Sequence, residues 1–133
     1  MSKWVEELYD DTFGVIVAES ELLFVDFYAD WCGPCKAVAP VVERLAKEYD
    51  GRVRFAKLNT DGTPETARRM RISSIPALIL FRDGKAVTRT GGYQSEAQLR
   101  VFLDRYAPPP SAAPVREPSG RGRGILSRMF GRV

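Results

Sequence analysis

An α/β domain, with a central sheet sandwiched between helices, is the fold class this sequence predicts. Two local patterns and their order carry the prediction. Leu22 to Tyr28 form a nearly continuous apolar, β-prone run, the pattern of a strand covered on both faces. Pro34 to Tyr49 place Val38, Val41, Val42, Leu45 and Tyr49 at helical spacing, with Glu43, Arg44, Lys47 and Glu48 between them. Along the whole chain the patterns alternate as helix, strand, helix, strand, helix, strand, strand, helix, with an extra strand near Trp4 left open. Such alternation builds a sheet with helices on its faces. With 133 residues, 44% of them hydrophobic, the chain is long enough for one domain with a genuine core.

The elements follow in order. Thr12 to Ala18 read as a short helix, with Thr12 as N-cap and Asp10 and Asp11 near its positive end. Leu22 to Tyr28 are the central strand. The long amphipathic helix comes next, stopped by Asp50-Gly51. Val53 to Leu58 read as a strand, Pro64 to Met70 as a short helix, and Ala77 to Phe81 as another buried strand. The turn Arg82-Asp83-Gly84-Lys85 sends Ala86 to Thr90 back as a hairpin partner. Ser95 and Gln98 suit a capping box for a closing helix, with Leu99, Phe102, Leu103 and Tyr106 on one face and Pro108 to Pro110 ending it. Trp4, Phe24, Phe27, Phe81 and Phe102 are expected core residues. Residues 1–107 are thus read as the domain, and 108–133 as a Pro/Gly/Arg-rich tail too poor in apolar surface to order itself.

Charge and cysteine usage narrow the function classes. The tail holds Arg116, Arg121, Arg123, Arg128 and Arg132 against Glu117, so it accounts for the positive balance of a chain whose net charge is +3. No nucleic-acid surface on the domain is expected from that charge. The stretch Ile125 to Val133 mixes apolar and basic residues, so it reads either as a solvated tail or as a weak contact with a membrane or a partner. Met1 to Asp11 resemble no signal-peptide core, and the longest apolar stretch falls far short of a membrane span. A cytoplasmic monomer is expected. In that reducing compartment a cysteine pair cycles rather than stays oxidised. The chain has two cysteines and no histidine, too few ligands for a tetrahedral zinc site, so no metal is expected.

The two cysteines lie at the strand-to-helix junction, where ligand chemistry gathers in such sheets. A cysteine attacks only as its thiolate, and a helix N-terminus stabilises that negative sulfur. Cys32 is placed as N-cap of the long helix, with Pro34 in the first turn, where no amide donor is needed. Cys35, one turn in, is expected to be more deeply buried and to resolve what Cys32 attacks. The bland alternative is a pair of inert buried thiols. Asp26, between Val25 and Phe27, is a carboxylate in an apolar strand and the candidate general base for Cys35, directly or through water. Lys57 on the neighbouring strand is expected to pair with it, and a purely structural Asp26–Lys57 pair is the other reading. Trp31 either caps the core edge or contacts partners.

The run Val25-Asp26-Phe27-Tyr28-Ala29-Asp30-Trp31-Cys32-Gly33-Pro34-Cys35-Lys36 resembles the active-site signature of the thioredoxin family. Ala56-Lys57-Leu58-Asn59-Thr60-Asp61, Ile75-Pro76, Phe81-Arg82-Asp83-Gly84 and Gly92 extend the match over residues 1–107. The resemblance implies the thioredoxin fold, a mixed sheet flanked by helices on both faces. It further implies a cis peptide bond before Pro76 facing the cysteines, and a substrate surface of Trp31, Gly33, Pro34, Ile75, Pro76 and Gly92. The implied activity is protein disulfide reduction, with disulfide-bearing client proteins as substrates. Gly33-Pro34 matches the reducing members. Electrons are expected from a thioredoxin reductase using NADPH, because the chain lacks a Gly-rich dinucleotide fingerprint and is expected to bind no cofactor itself. A redox-independent binding subunit and a dedicated reductase recruited by the tail are the alternatives. Tyr28 stands where tryptophan is common in the family, and Ser73-Ser74 replaces a pairing that usually includes glycine; both bear on substrate preference.

Overall fold

The computed structural model describes residues 2–110. Its elements are β1 (Val5–Leu8), α1 (Phe13–Glu19), β2 (Leu22–Tyr28), α2 (Gly33–Glu48), β3 (Arg54–Asn59), α3 (Pro64–Arg69), β4 (Ala77–Arg82), β5 (Lys85–Gly91) and α4 (Glu96–Asp104). The strands form one five-stranded sheet in the order β1-β3-β2-β4-β5. β1, β3 and β2 run parallel, and β4 and β5 complete the sheet antiparallel. The mixed sheet and the central place of β2 agree with the sequence reading. The extra strand near Trp4 exists as β1, paired with β3. The expected amphipathic stretch at Ile125 to Val133, and the tail from residue 111, lie outside the described residues.

Alternation along β2 divides the core in two. Phe24 and Leu22 join Leu78, Leu80 and Phe55 against Val38, Val42 and Leu45 of α2 and Leu99 and Leu103 of α4. Leu23, Val25 and Phe27 join Ile79 and Phe81 against Phe13, Ile16 and Val17 of α1. Edge-to-face rings lock both halves, Phe24 on Phe102 in one and Phe13 on Phe27 and Phe81 in the other. Trp4 and Phe102 are only partly buried at the margin of the first core.

Several local expectations are corrected. Thr12 occupies the N-cap position of α1, but its side chain makes no cap bond; it accepts from the Tyr9 amide instead. Asp10 does not serve α1. Its carboxylate reaches α3 and accepts from both the amide and the hydroxyl of Thr66, at 2.9 and 2.7 Å, satisfying a first-turn donor from outside that helix. Those bonds, the Thr66 hydroxyl first, hold the Asp10 carboxyl below its ordinary range. Pro40, which the periodicity passes over, lies inside α2, where it withholds the amide that the Lys36 carbonyl would accept from. α4 ends at Asp104, before Pro108, through the bond from the Ala107 amide to the Leu103 carbonyl. Its N-terminus is the expected capping box, with both the Ser95 and Gln98 bonds made. The Asp83-Gly84 turn places both residues at positive φ, 50° and 87°, the twist that a two-residue hairpin needs.

Phe24 is fully buried at the centre of the larger core, so Phe24→Ala is expected to lower stability by about 3–5 kcal/mol. Val101→Ala, on the exposed face of α4, should stay within about 0.5 kcal/mol of the parent. Denaturant unfolding of the two variants checks the contrast.

Candidate active site

β2 runs out at Tyr28, and α2 starts at Gly33, so the connecting residues sit at the end of the central strand. Cys32 is the N-cap of α2, with extended backbone and a sulfur that accepts from the Cys35 amide at 3.2 Å. Gly33 and Pro34 open the helix, and no acidic residue stands in its first turn to oppose its positive end. Cys32 and Cys35 are joined as a disulfide, with their Cα atoms 5.2 Å apart. The expected difference in burial is absent, since the two residues are 4% and 3% exposed. They differ in what surrounds them. The Cys32 sulfur lies 3.7 Å from the Ile75 carbonyl, whereas Cys35 borders a cavity that leads inward.

The Ile75–Pro76 bond is cis. Gly92, at φ 75°, donates its amide to the Pro76 carbonyl at 2.9 Å, which brings the end of β5 beside the Ile75 loop. Ile75 packs against Ala29, Cys32 and Cys35. Trp31 is 70% exposed and its indole N–H donates to Asp61 at 2.8 Å, so it does not fold over the core edge. Trp31, Gly33 and Pro34 thus adjoin Cys32 along the chain, Ile75 packs against the disulfide, and Gly92 is bonded to the buried Pro76. Asp61 was not singled out as a site residue; its place opposite Trp31 depends on how β3 turns into α3.

Beneath the disulfide a cavity of about 200 Å³ is lined by Asp26, Tyr28, Ala29, Cys35, Lys36 and Lys57. Asp26 shares a sheet face with Phe24, and so points toward α2. It is 3% exposed, and its Oδ1 has no hydrogen-bond partner. Burial pushes its carboxyl up from the ordinary 3.8 to about 7, against the opposing charge of Lys57 and with some help from Glu7.

Glu7, Lys57 and Asp26 stand side by side across β1, β3 and β2. The expected Asp26–Lys57 ion pair is not made. The Lys57 ammonium lies 3.9 Å from Glu7 and over the Tyr28 ring, in a direction that leaves it 37% exposed and partly hydrated. The Tyr28 hydroxyl donates to Glu7 at 3.0 Å, and burial followed by the Glu7 charge raises its pKa. Glu7 went unnoticed in the sequence because its role depends on the register of an edge strand. A larger cleft of about 470 Å³, between Glu21, Gly51, Arg52 and Asp83, lies at the opposite end of β2 and contains neither cysteine nor a buried carboxyl.

The family model described as thioredoxin matches residues 4–105. A thioredoxin of Staphylococcus epidermidis is 47% identical over 88 residues, covering 66% of this chain and 85% of the relative. Thioredoxins of Staphylococcus haemolyticus and Staphylococcus aureus are each 46% identical over the same shares. With the two cysteines joined at the head of α2, this similarity shows that the chain belongs to the thioredoxin family and is a dithiol/disulfide oxidoreductase.

Proposed function

We propose that this chain is a protein disulfide reductase of the cytoplasm, re-reduced by a thioredoxin reductase that draws on NADPH, with no cofactor bound to the chain itself. The observation that supports it best is the placement of the two sulfurs. One faces the Ile75 loop, and the other borders the cavity that holds an unpartnered buried carboxyl.

In this reading the reduced protein attacks through Cys32. The Cys35 amide and the unopposed N-terminus of α2 stabilise its thiolate. A bond forms between the Cys32 sulfur and one client sulfur, the client disulfide breaks, and the other client sulfur leaves as a thiolate. The client lies against Trp31, Gly33, Pro34, Ile75, Pro76 and Gly92 during this step. Cys35 then gives its proton to the Asp26 carboxylate across the cavity and attacks the Cys32 sulfur. The second client thiolate is expelled. The client disulfide gains two electrons and becomes two thiols, and the protein dithiol loses two and becomes the Cys32–Cys35 disulfide. A carboxyl that titrates at about 7 is matched to proton transfer at neutral pH, and Lys57 acts on it only by its charge.

Insulin reduction tests the assignment of roles. Cys32→Ser should abolish turnover, and Cys35→Ser should accumulate a mixed disulfide visible on non-reducing gels. Asp26→Asn should slow resolution by about 10² or more and remove the inflection at about pH 7. Turnover retained by Cys32→Ser overturns the mechanism.

The same carboxyl makes stability depend on pH. Between pH 3.8 and about 7 the unfolded chain has released the Asp26 proton while the folded chain still holds it. The folded state binds more protons there, so stability falls as pH rises through this window, by roughly 4 kcal/mol in total. Asp26→Asn should therefore unfold at higher denaturant than the parent at pH 8 and lose most of that advantage near pH 4. Urea unfolding of the oxidised proteins at both pH values measures it; equal midpoints at pH 8 would contradict the buried carboxylate.

A further inference from the structure

The rim of the client surface is polarised. Asp30, two residues before Cys32, and Asp61, which accepts from the Trp31 indole, are both exposed. The Ile75 side is basic. Near the Ile75 loop the sequence holds Arg69, Arg71 and Arg89, while Arg82, Asp83 and Lys85 lie together at the hairpin at the far end of β4 and Arg68 pairs with Glu65.

A groove of about 350 Å³ opens within this basic side, lined by Arg71, Ser73, Ser74, Arg89, Thr90 and Gly91. Of its lining residues, Ser74 and Gly91 adjoin Ile75 and Gly92 in sequence, and Arg71 and Arg89 lie within four residues of them. Arg89 is fixed by donating to the Met70 carbonyl at 3.2 Å. Arg71 projects from a backbone at φ 55°, a conformation that side chains rarely adopt. Among the described residues the ion pairs of arginine use Arg44, Arg54, Arg68 and Arg100; neither Arg71 nor Arg89 is neutralised. Both guanidinium groups are exposed, and the serine hydroxyls add donors on the same rim.

We propose that this groove is a specificity site, which accepts a carboxylate side chain of a disulfide-bearing client close to its reacting cysteine. The inference rests on the reading that clients lie against Ile75, Pro76 and Gly92. A planar fork with fixed charge on either wall suits a carboxylate, and the acidic residues Asp30 and Asp61 disfavour the reverse placement. The groove acts on recognition, since neither arginine reaches the cysteines' cavity.

The test uses the pre-reduced full chain and a set of peptides bearing a reporter disulfide, with Glu or Gln placed in turn at each position flanking the cysteine. The reading is the second-order rate constant for peptide reduction. At one or more positions Glu should react about 3–10 times faster than Gln at low salt, and the ratio should shrink as salt screens it. Arg71→Gln with Arg89→Gln should bring the ratio to near one, whereas Arg71→Lys with Arg89→Lys should keep a preference. A ratio near one at every position in the parent, or a preference that survives the double Gln variant, overturns the groove. The underlying client surface is read separately through Gly92→Asn, where an added Cβ meets nothing within 4 Å. Unchanged reduction of the Gln peptide by that variant would sink the surface reading, whatever the Glu to Gln ratio shows.

Discussion

β2 is hydrogen-bonded along both edges and covered on both faces, so every side chain from Leu22 to Phe27 is buried. Everything distinctive about the site follows from that confinement. The alternation that gives Leu23, Val25 and Phe27 to the α1 side gives Leu22, Phe24 and Asp26 to the α2 side. A carboxyl at the fifth place of β2 could have faced solvent on an edge strand. Here it faces a cavity whose other wall is Cys35. Because the strand ends two residues later and α2 begins soon after, the disulfide is carried on the same axis as the carboxyl beneath it.

The row Glu7–Lys57–Asp26 decides the charge state of that carboxyl. A lysine bonded directly to Asp26 would favour its ionised form and leave it a poor proton acceptor at neutral pH. Lys57 instead turns outward to Glu7 and the face of Tyr28, where its ammonium stays partly hydrated. Burial then dominates the Asp26 equilibrium, with Lys57 only moderating it. Tyr28 contributes by holding Glu7 with its hydroxyl, which fixes the acceptor that draws Lys57 away. Asp26 is thus poised by the absence of a bond that the strand register alone would permit.

The parts of this arrangement legible in the sequence are those set by nearest neighbours along the chain. A nearly continuous β-prone apolar run reads as an interior strand, and Cys32 before Gly33-Pro34 suits the head of a helix, so β2, α2 and the reactive pair are all legible. The Ser95/Gln98 box and the Asp83-Gly84 turn are likewise local. β1 is four residues, two of them glutamates, on a sheet edge; its pattern carries little signal and its register none. Asp10 reaching Thr66, Trp31 reaching Asp61 and Lys57 choosing Glu7 all depend on loops that bring distant segments together. The near-equal burial of Cys32 and Cys35 is illegible for the same reason, since Ile75, 43 residues from Cys32, packs over the pair. The cis bond before Pro76 entered only through family resemblance, because no local pattern dictates it.

Titratable and permanent charges are separated in space. Asp26, which changes state within the neutral range, is enclosed below the disulfide, whereas Arg71 and Arg89 stand exposed beside the Ile75 loop. In the proposed mechanism, proton transfer from the resolving cysteine therefore varies with pH in the neutral range. The left-handed backbone at Arg71 sharpens the point. An L-residue in that conformation costs roughly 1–2 kcal/mol that glycine avoids, so the fold alone gains nothing from an arginine at φ 55°. What the arginine supplies is an exposed guanidinium, without an ion pair among the described residues, at the edge of the proposed client surface. In the proposed reading, recognition by charge and chemistry by a buried proton thereby fall on opposite sides of one sulfur pair.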